Sequence, residues 1–156
     1  MVTVTTRTLR ETEALGRALA QDLRAGDLLL LSGDLGAGKT SLARAFIREA
    51  AGATIDVPSP TFGLIVTYEL STPIHHVDLY RLEGSDHLVE LGLDDLIETG
   101  VTLVEWPDRA PHLVQWPHLA IGIEQGDQSS RIFTMEAVGQ TWMQRLPTLE
   151  TELISS

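Results

Sequence analysis

In the stretch GDLGAGKT, residues Gly33, Gly38, Lys39 and Thr40 stand at the spacing G-x-x-x-x-G-K-[ST] of a phosphate-binding loop. Each residue type has a task there. Glycines at 33, 36 and 38 let the backbone turn tightly and aim successive N–H groups at phosphate oxygens. A helix starting at the end of the loop adds the positive end of its dipole. Lys39 brings a compact, mobile charge to the β- and γ-phosphates, and the Thr40 hydroxyl can ligate Mg²⁺. Lys39 is also the only lysine in the chain. Were lysine incidental surface filler, it would recur elsewhere.

Such a loop also requires a carboxylate at the end of a neighbouring strand, to hold the metal or its water. Glu105 ends the apolar run VTLV, and Asp78 ends the less apolar IHHV. We expect Thr40 and Glu105 to act on Mg²⁺ and Asp78 to orient water or a group beside it; the alternative for either acid is a solvated strand end. The base is better read as adenine than guanine. A guanine reader of the Asn-Lys-x-Asp type needs an asparagine, and the chain has none. The stiff segment VPSPTF (57–62) offers hydroxyls at Ser59 and Thr61. It is either a switch ordered by the γ-phosphate or an ordinary connection. His75 and His76 are adjacent, so on a strand they point to opposite faces and cannot easily chelate one ion. One is expected to be packed and the other exposed. Trp106 and Trp116, each followed by proline, read as packing rather than as a base-stacking platform.

The elements that must position these residues can be read from periodicity. Residues 2–8 alternate as a strand does, and Glu11 to Arg24 carries apolar residues at helical spacing, closed by Gly26. Residues 27–32, DLLLLS, form an apolar run suited to a strand buried on both faces of a parallel sheet. Ser41 to Ala51 is helical. TFGLIVTYEL (61–70) and IHHVDLY (74–80) read as an antiparallel pair joined by the turn STP. Residues 85–98 give one or two short helices broken near Gly92, and 101–106 a further buried strand. Residues 117–124 and 130–138 form a last pair of strands, and 139–146 a short helix that Pro147 ends or kinks. Strands alternating with helices and followed by a β-rich end imply an α/β sheet of mixed direction.

Composition narrows the class. A chain of 156 residues with 43% hydrophobic residues fits one domain, spanning 1–156. No apolar run reaches the roughly 18 residues of a membrane span. The opening MVTVTTRTLRETEALG alternates and then turns charged, unlike a signal or transit peptide. Without cysteine there is no disulfide, thiolate metal site or cysteine nucleophile, and a cytoplasmic location is expected. The formal net charge of −11 repels phosphate backbones, so no tight direct grip on nucleic acid is expected from this chain alone.

Four segments in order, GDLGAGKTSLARAF, VPSPTFGLIVTYE, HVDLYRLE and LVEWPDRAP, resemble the TsaE (YjeE) family of bacterial tRNA threonylcarbamoyladenosine synthesis. ELGLDD fits between the last two. The combination of SPTF, DLYRL and EWP after the loop is specific. The resemblance implies a P-loop NTPase-type α/β three-layer sandwich, with a mainly parallel central sheet and some antiparallel strands. It implies a slow, Mg²⁺-dependent ATPase acting on a complex of TsaB and TsaD. Hydrolysis would reset that complex between turnovers, and tRNA would be engaged only through it. ATP would lie on Gly33, Asp34, Leu35, Gly36, Ala37, Gly38, Lys39, Thr40 and Ser41, with Mg²⁺ on Thr40 and Glu105. Lys39, Asp78 and Glu105 would serve turnover, Ser59 to Thr61 would sense the nucleotide, and Trp106 would lie near the site. Arg131 would approach the nucleotide from the far end of the chain, and the junction Thr8 to Glu11 would border the adenine. Two departures are mild: Ser41 replaces the more usual second threonine, and Asp86 and His87 stand where an acidic pair is commoner, which bears on any partner contact there.

Two other readings compete. A small-molecule kinase would need a second pocket and an arginine-bearing lid, yet Ala110 to Ser130 contains no arginine or lysine. A nucleotide-responsive regulator with little turnover is separated from an ATPase only by experiment.

Overall fold

The computed structural model describes residues 1–58, 65–82 and 92–155. Among the described residues seven strands form one sheet: β1 (Val2–Thr6), β2 (Leu28–Gly33), β3 (Ile65–Tyr68), β4 (Ile74–Asp78), β5 (Val101–Glu105), β6 (His118–Gln125) and β7 (Arg131–Val138). Their spatial order is β1-β7-β6-β2-β5-β4-β3. The centre, β4-β5-β2-β6, is parallel, while β3 on one side and β7 and β1 on the other pair antiparallel. Helices α1 (Leu9–Ala20), α2 (Lys39–Ala51), α3 (Leu93–Thr99) and α4 (Gln140–Ser155) cover the sheet. The expected mixed α/β sheet is therefore what forms.

The apolar run of β2 explains the layering. Leu29 and Leu31 point to one face, where they join Leu15 and Leu19 of α1, Leu42 and Phe46 of α2, and Trp142 and Leu146 of α4. Leu28 and Leu30 point to the other, packing with Leu93 and Ile97 of α3 and Leu113. All four β2 leucines are at most 3% exposed. At about 1.5–3 kcal/mol for each buried leucine, this strand alone supplies a large share of the driving force, as an upper estimate. A part-buried ion pair anchors its entry: Arg145 of α4 donates to both carboxylate oxygens of Asp27, at 2.7 and 3.0 Å.

Several boundaries differ from the periodic reading, each for a local reason. Helix α1 begins at Leu9 rather than Glu11, because the Thr8 hydroxyl accepts from the Glu11 N–H at 3.1 Å and caps the helix. Helix α4 runs through Pro147 to Ser155 instead of stopping near residue 146. Leu146, Leu149 and Leu153 on its inner face pack against the core, which offsets the roughly 3 kcal/mol that an interior proline costs. Helix α3 starts directly after Gly92, and the strand expected over 61–70 is seen as β3 at 65–68. Residues 69–70 fall beyond the end of the strand, and residues 61–64 and 85–91 of those two predictions lie outside the described residues.

Helices α1 and α2 approach closely at Gly16. A Cβ there would lie 2.7 Å from the Ala45 Cβ and 2.8 Å from the Leu42 carbonyl oxygen. Gly16→Ala should therefore destabilise the fold by about 1–2 kcal/mol, because overpacking outweighs the roughly 1 kcal/mol that alanine gains in a helix. A urea melt reads the sign directly: the midpoint falls, whereas a rise would mean that the helices can separate at little cost.

Candidate functional site

Strand β2 ends where the loop begins, and α2 starts where it ends. Gly33, Gly36 and Gly38 all have positive φ, at 154°, 78° and 118°. At Gly33 space is limiting as well, since a Cβ would sit 2.6 Å from the Ile123 carbonyl oxygen of β6. Helix α2 has Gly38 as its N-cap and no side-chain cap. The first-turn amides of Lys39, Thr40 and Ser41, which no helix satisfies internally, are thus left for a ligand.

Lys39 is 5% exposed, and its ammonium donates to the carbonyls of Gly33 (2.5 Å) and Asp34 (2.8 Å). It also lies 4.2 Å from the ring centroid of Trp106. Burial pushes its pKa below the ordinary lysine value, while the nearby carboxylates Glu105, Asp78, Asp34 and Asp108 pull it back up. Trp106 holds a left-handed backbone, φ 62°, uncommon for a bulky residue, and its ring meets Tyr80 at 4.9 Å between centroids. That strained corner after β5 sets the indole against the lysine. Trp106 is therefore part of the site wall as well as partly buried packing, and Trp116 packs only.

The two candidate acids come together because β4 and β5 are parallel neighbours with Asp78 opposite Glu105. Glu105 is 2% exposed. Its Oε1 accepts from the Thr40 hydroxyl at 2.8 Å, and its Oε2 lies 2.6 Å from Nε2 of His76. Asp78 is also buried, and its Oδ1 accepts from the Tyr80 N–H at 2.9 Å. Burial is the main cause that holds its pKa above the usual carboxylate value; Glu105 adds to the rise, and the Tyr80 N–H, His76 and Lys39 oppose it. Neither acid is a solvated strand end. With Gly36, Gly38, Lys39, Thr40, Ser41, Tyr80 and Trp106 they line a cavity of about 350 Å³.

A second cavity, about 260 Å³, lies beyond the loop between Arg7, Thr8, Leu9, Gly36, Ser41, Ser129 and Arg131. Arg131 donates to the Gly36 carbonyl at 3.4 Å, so the far end of the chain does reach the loop. Ser59, Thr61, Asp86 and His87 lie outside the described residues. The expectation that one of His75 and His76 is exposed is corrected. They do face opposite sides of the sheet, but His75, bonded to Thr67 and Thr99, and His76, bonded to Glu105, are 4% and 0% exposed. The sheet is covered on both faces at β4, so neither direction leads to solvent. His76, Tyr80 and Arg44, whose guanidinium donates to the Val57 carbonyl at 2.8 Å, are site or loop residues that sequence reasoning did not pick out. Alternation along β4 was the available signal for His76, because it puts His76 on the face of Asp78.

The oxygen donors suit Mg²⁺. Among the described residues no group of three or more His, Cys, Asp or Glu side chains could hold a metal ion by itself. Thr40 and Glu105 present hard oxygens side by side, and Mg²⁺ usually takes one or two protein ligands and completes its shell with water and phosphate oxygens.

Known proteins resemble this chain over most of its length. The family model for threonylcarbamoyl adenosine biosynthesis protein TsaE matches residues 6–133. A tRNA threonylcarbamoyladenosine biosynthesis protein TsaE from Rickettsia felis is 39% identical over 123 residues, 78% of this chain and 72% of that protein. One of the same description from Bacillus subtilis is 39% identical over 134 residues, 85% of this chain and 83% of the relative. The crystal structure of Bacillus subtilis YdiB superposes with a TM-score of 0.80 at 32% identity, covering 96% of this chain and 94% of that one.

Because the native state holds the Asp78 proton more tightly than the unfolded chain, stability is lost as pH rises from the ordinary carboxylate value through the raised one. As pH rises above the ordinary carboxylate value the wild type carries a growing penalty, and Asp78→Asn, which can still accept from Tyr80, carries none. The variant should melt at a higher temperature than the wild type at pH 7, with the gap closing below about pH 4. Thermal unfolding at both pH values reads this; a variant less stable at pH 7 would sink it.

Proposed function

The chain belongs to the TsaE family of tRNA threonylcarbamoyladenosine biosynthesis, and on that premise we propose that it is a Mg²⁺-dependent ATPase acting on a complex of TsaB and TsaD. The observation that carries the reading is the meeting of Lys39, Thr40, Asp78 and Glu105 around one cavity at the N-terminus of α2. The uncapped first-turn amides of α2 bind phosphate oxygens, and Lys39 exchanges its two loop carbonyls for the β- and γ-phosphates. Thr40 and Glu105 are the residues that would hold Mg²⁺, which supplies charge neutralisation at those phosphates. Asp78, fixed by the Tyr80 amide and with a raised proton affinity, orients the attacking water. Trp106 and Tyr80 wall the phosphate end. The cavity between Thr8 and Arg131 takes the adenine end.

Slow turnover by the isolated chain follows if the partner completes the site, as trans-acting groups do in other phosphate-loop enzymes. Hydrolysis then resets the TsaB–TsaD complex between rounds of transfer. The net charge of −11 agrees with tRNA being held by that complex rather than by this chain, with the cytoplasm as the setting.

Phosphate release from Mg-ATP, measured with and without TsaB and TsaD from the same organism, tests the proposal. We expect stimulation by the pair, and a loss on the order of 100-fold or more in Lys39→Ala, since removing one preorganised charge from a transition state has effects of that size. No stimulation, with phosphate appearing instead on a small molecule, would replace the ATPase reading by a kinase.

A further inference from the structure

Glu105 is held from two sides, and only one of them belongs to the phosphate loop. The Thr40 hydroxyl donates to Oε1 from the ligand side at 2.8 Å. On the core side His76 Nε2 lies 2.6 Å from Oε2. The imidazole has no exposure to water, and its Nδ1 finds no hydrogen-bond partner among the described residues. That orphan atom decides where the proton sits. A proton on Nδ1 would leave a buried N–H unmet and take the donor away from the carboxylate. A proton on Nε2 leaves only an unmet acceptor, which folded proteins tolerate better.

We propose that His76 is a positioning residue for the metal-side carboxylate: its Nε2–H fixes Oε2 so that Oε1 stays against the Thr40 hydroxyl. The inference rests on the nucleotide reading above and adds a residue to it. A free glutamate side chain samples several rotamers, and most would turn the carboxylate away from Thr40. The charge-assisted bond from His76 removes that freedom before any ligand arrives, so the oxygen pair is set in advance. The strand geometry makes this possible. In the parallel register His76 lies opposite Leu103, one side-chain pair before Asp78 and Glu105, on the same face of the sheet. A donor of that length therefore reaches diagonally to the acid from within the core.

The test compares His76→Leu and His76→Gln with the wild type in the full chain. Glutamine carries an N–H donor at a reach similar to that of Nε2, and leucine carries none. Loss of such a supporting partner typically costs about 10–100-fold in metal affinity or activity. We expect His76→Leu to need more Mg²⁺ for half-maximal phosphate release, or to turn over more slowly, by about that factor, and His76→Gln to recover most of it. Affinity for mant-ADP in EDTA should match the wild type in both variants, a separation that a merely damaged fold would not give. In the ligand-free wild type, long-range ¹H–¹⁵N spectra at neutral pH should show the His76 proton on Nε2; that reading holds even if a variant fails to fold. A His76→Leu protein with wild-type Mg²⁺ dependence and turnover, or a spectrum with the proton on Nδ1, overturns the proposal. A wild type that neither binds mant-ADP nor releases phosphate overturns the nucleotide reading, and this inference with it.

Discussion

A carboxylate with almost no access to water joins the parts of this molecule that must move least. Glu105, 2% exposed, bonds Thr40 of α2 with one oxygen and meets His76 of β4 with the other, while its own backbone belongs to β5. A buried carboxylate without such partners would be costly enough to neutralise or to drive the chain apart. The two bonds therefore fix the start of α2 against the carboxyl ends of β4 and β5. The loop Gly33 to Gly38 then has its two ends set by β2 and α2, and its shape follows from the glycines between them.

The same desolvation that makes Glu105 expensive raises the proton affinity of Asp78 and lowers that of Lys39. Lys39, Asp78 and Glu105 lie close enough to act on one another. Lys39 rests on two carbonyls and an indole face, all neutral. The proposed nucleotide would give the lysine an anionic partner at the helix N-terminus, and its Mg²⁺ would give the acids a cationic one. On the proposed nucleotide reading, binding would raise the apparent stability of the fold with ligand concentration.

Much of this was legible in the sequence. The loop pattern is legible because its residue types have few other uses at that spacing. The apolar run 28–31 is legible because burial on both faces erases alternation. Asp78 and Glu105 could be picked out as strand-end acids, but their pairing could not, because nothing local reveals that β4 and β5 are parallel neighbours in register. For the same reason His76 read as half of a split pair rather than as the support of an acid 29 residues away. Pro147 misled because local helix chemistry gives no measure of the core that Leu146, Leu149 and Leu153 meet. What fails to read from sequence here is long-range register.

Register also explains why the one lysine is where it is. Arg44, Arg48, Arg109, Arg131 and Arg145 each donate to backbone carbonyls, holding chain segments in place. A planar guanidinium with several fixed donors suits that work, since it locks into one geometry. The phosphate loop asks for the opposite property. On the proposed nucleotide reading its cation, which rests on the Gly33 and Asp34 carbonyls, would transfer to phosphate oxygens. An ammonium on a flexible stem, with donors that rotate, changes partners without rebuilding its surroundings. Arginine at position 39 would keep the charge and lose the exchange.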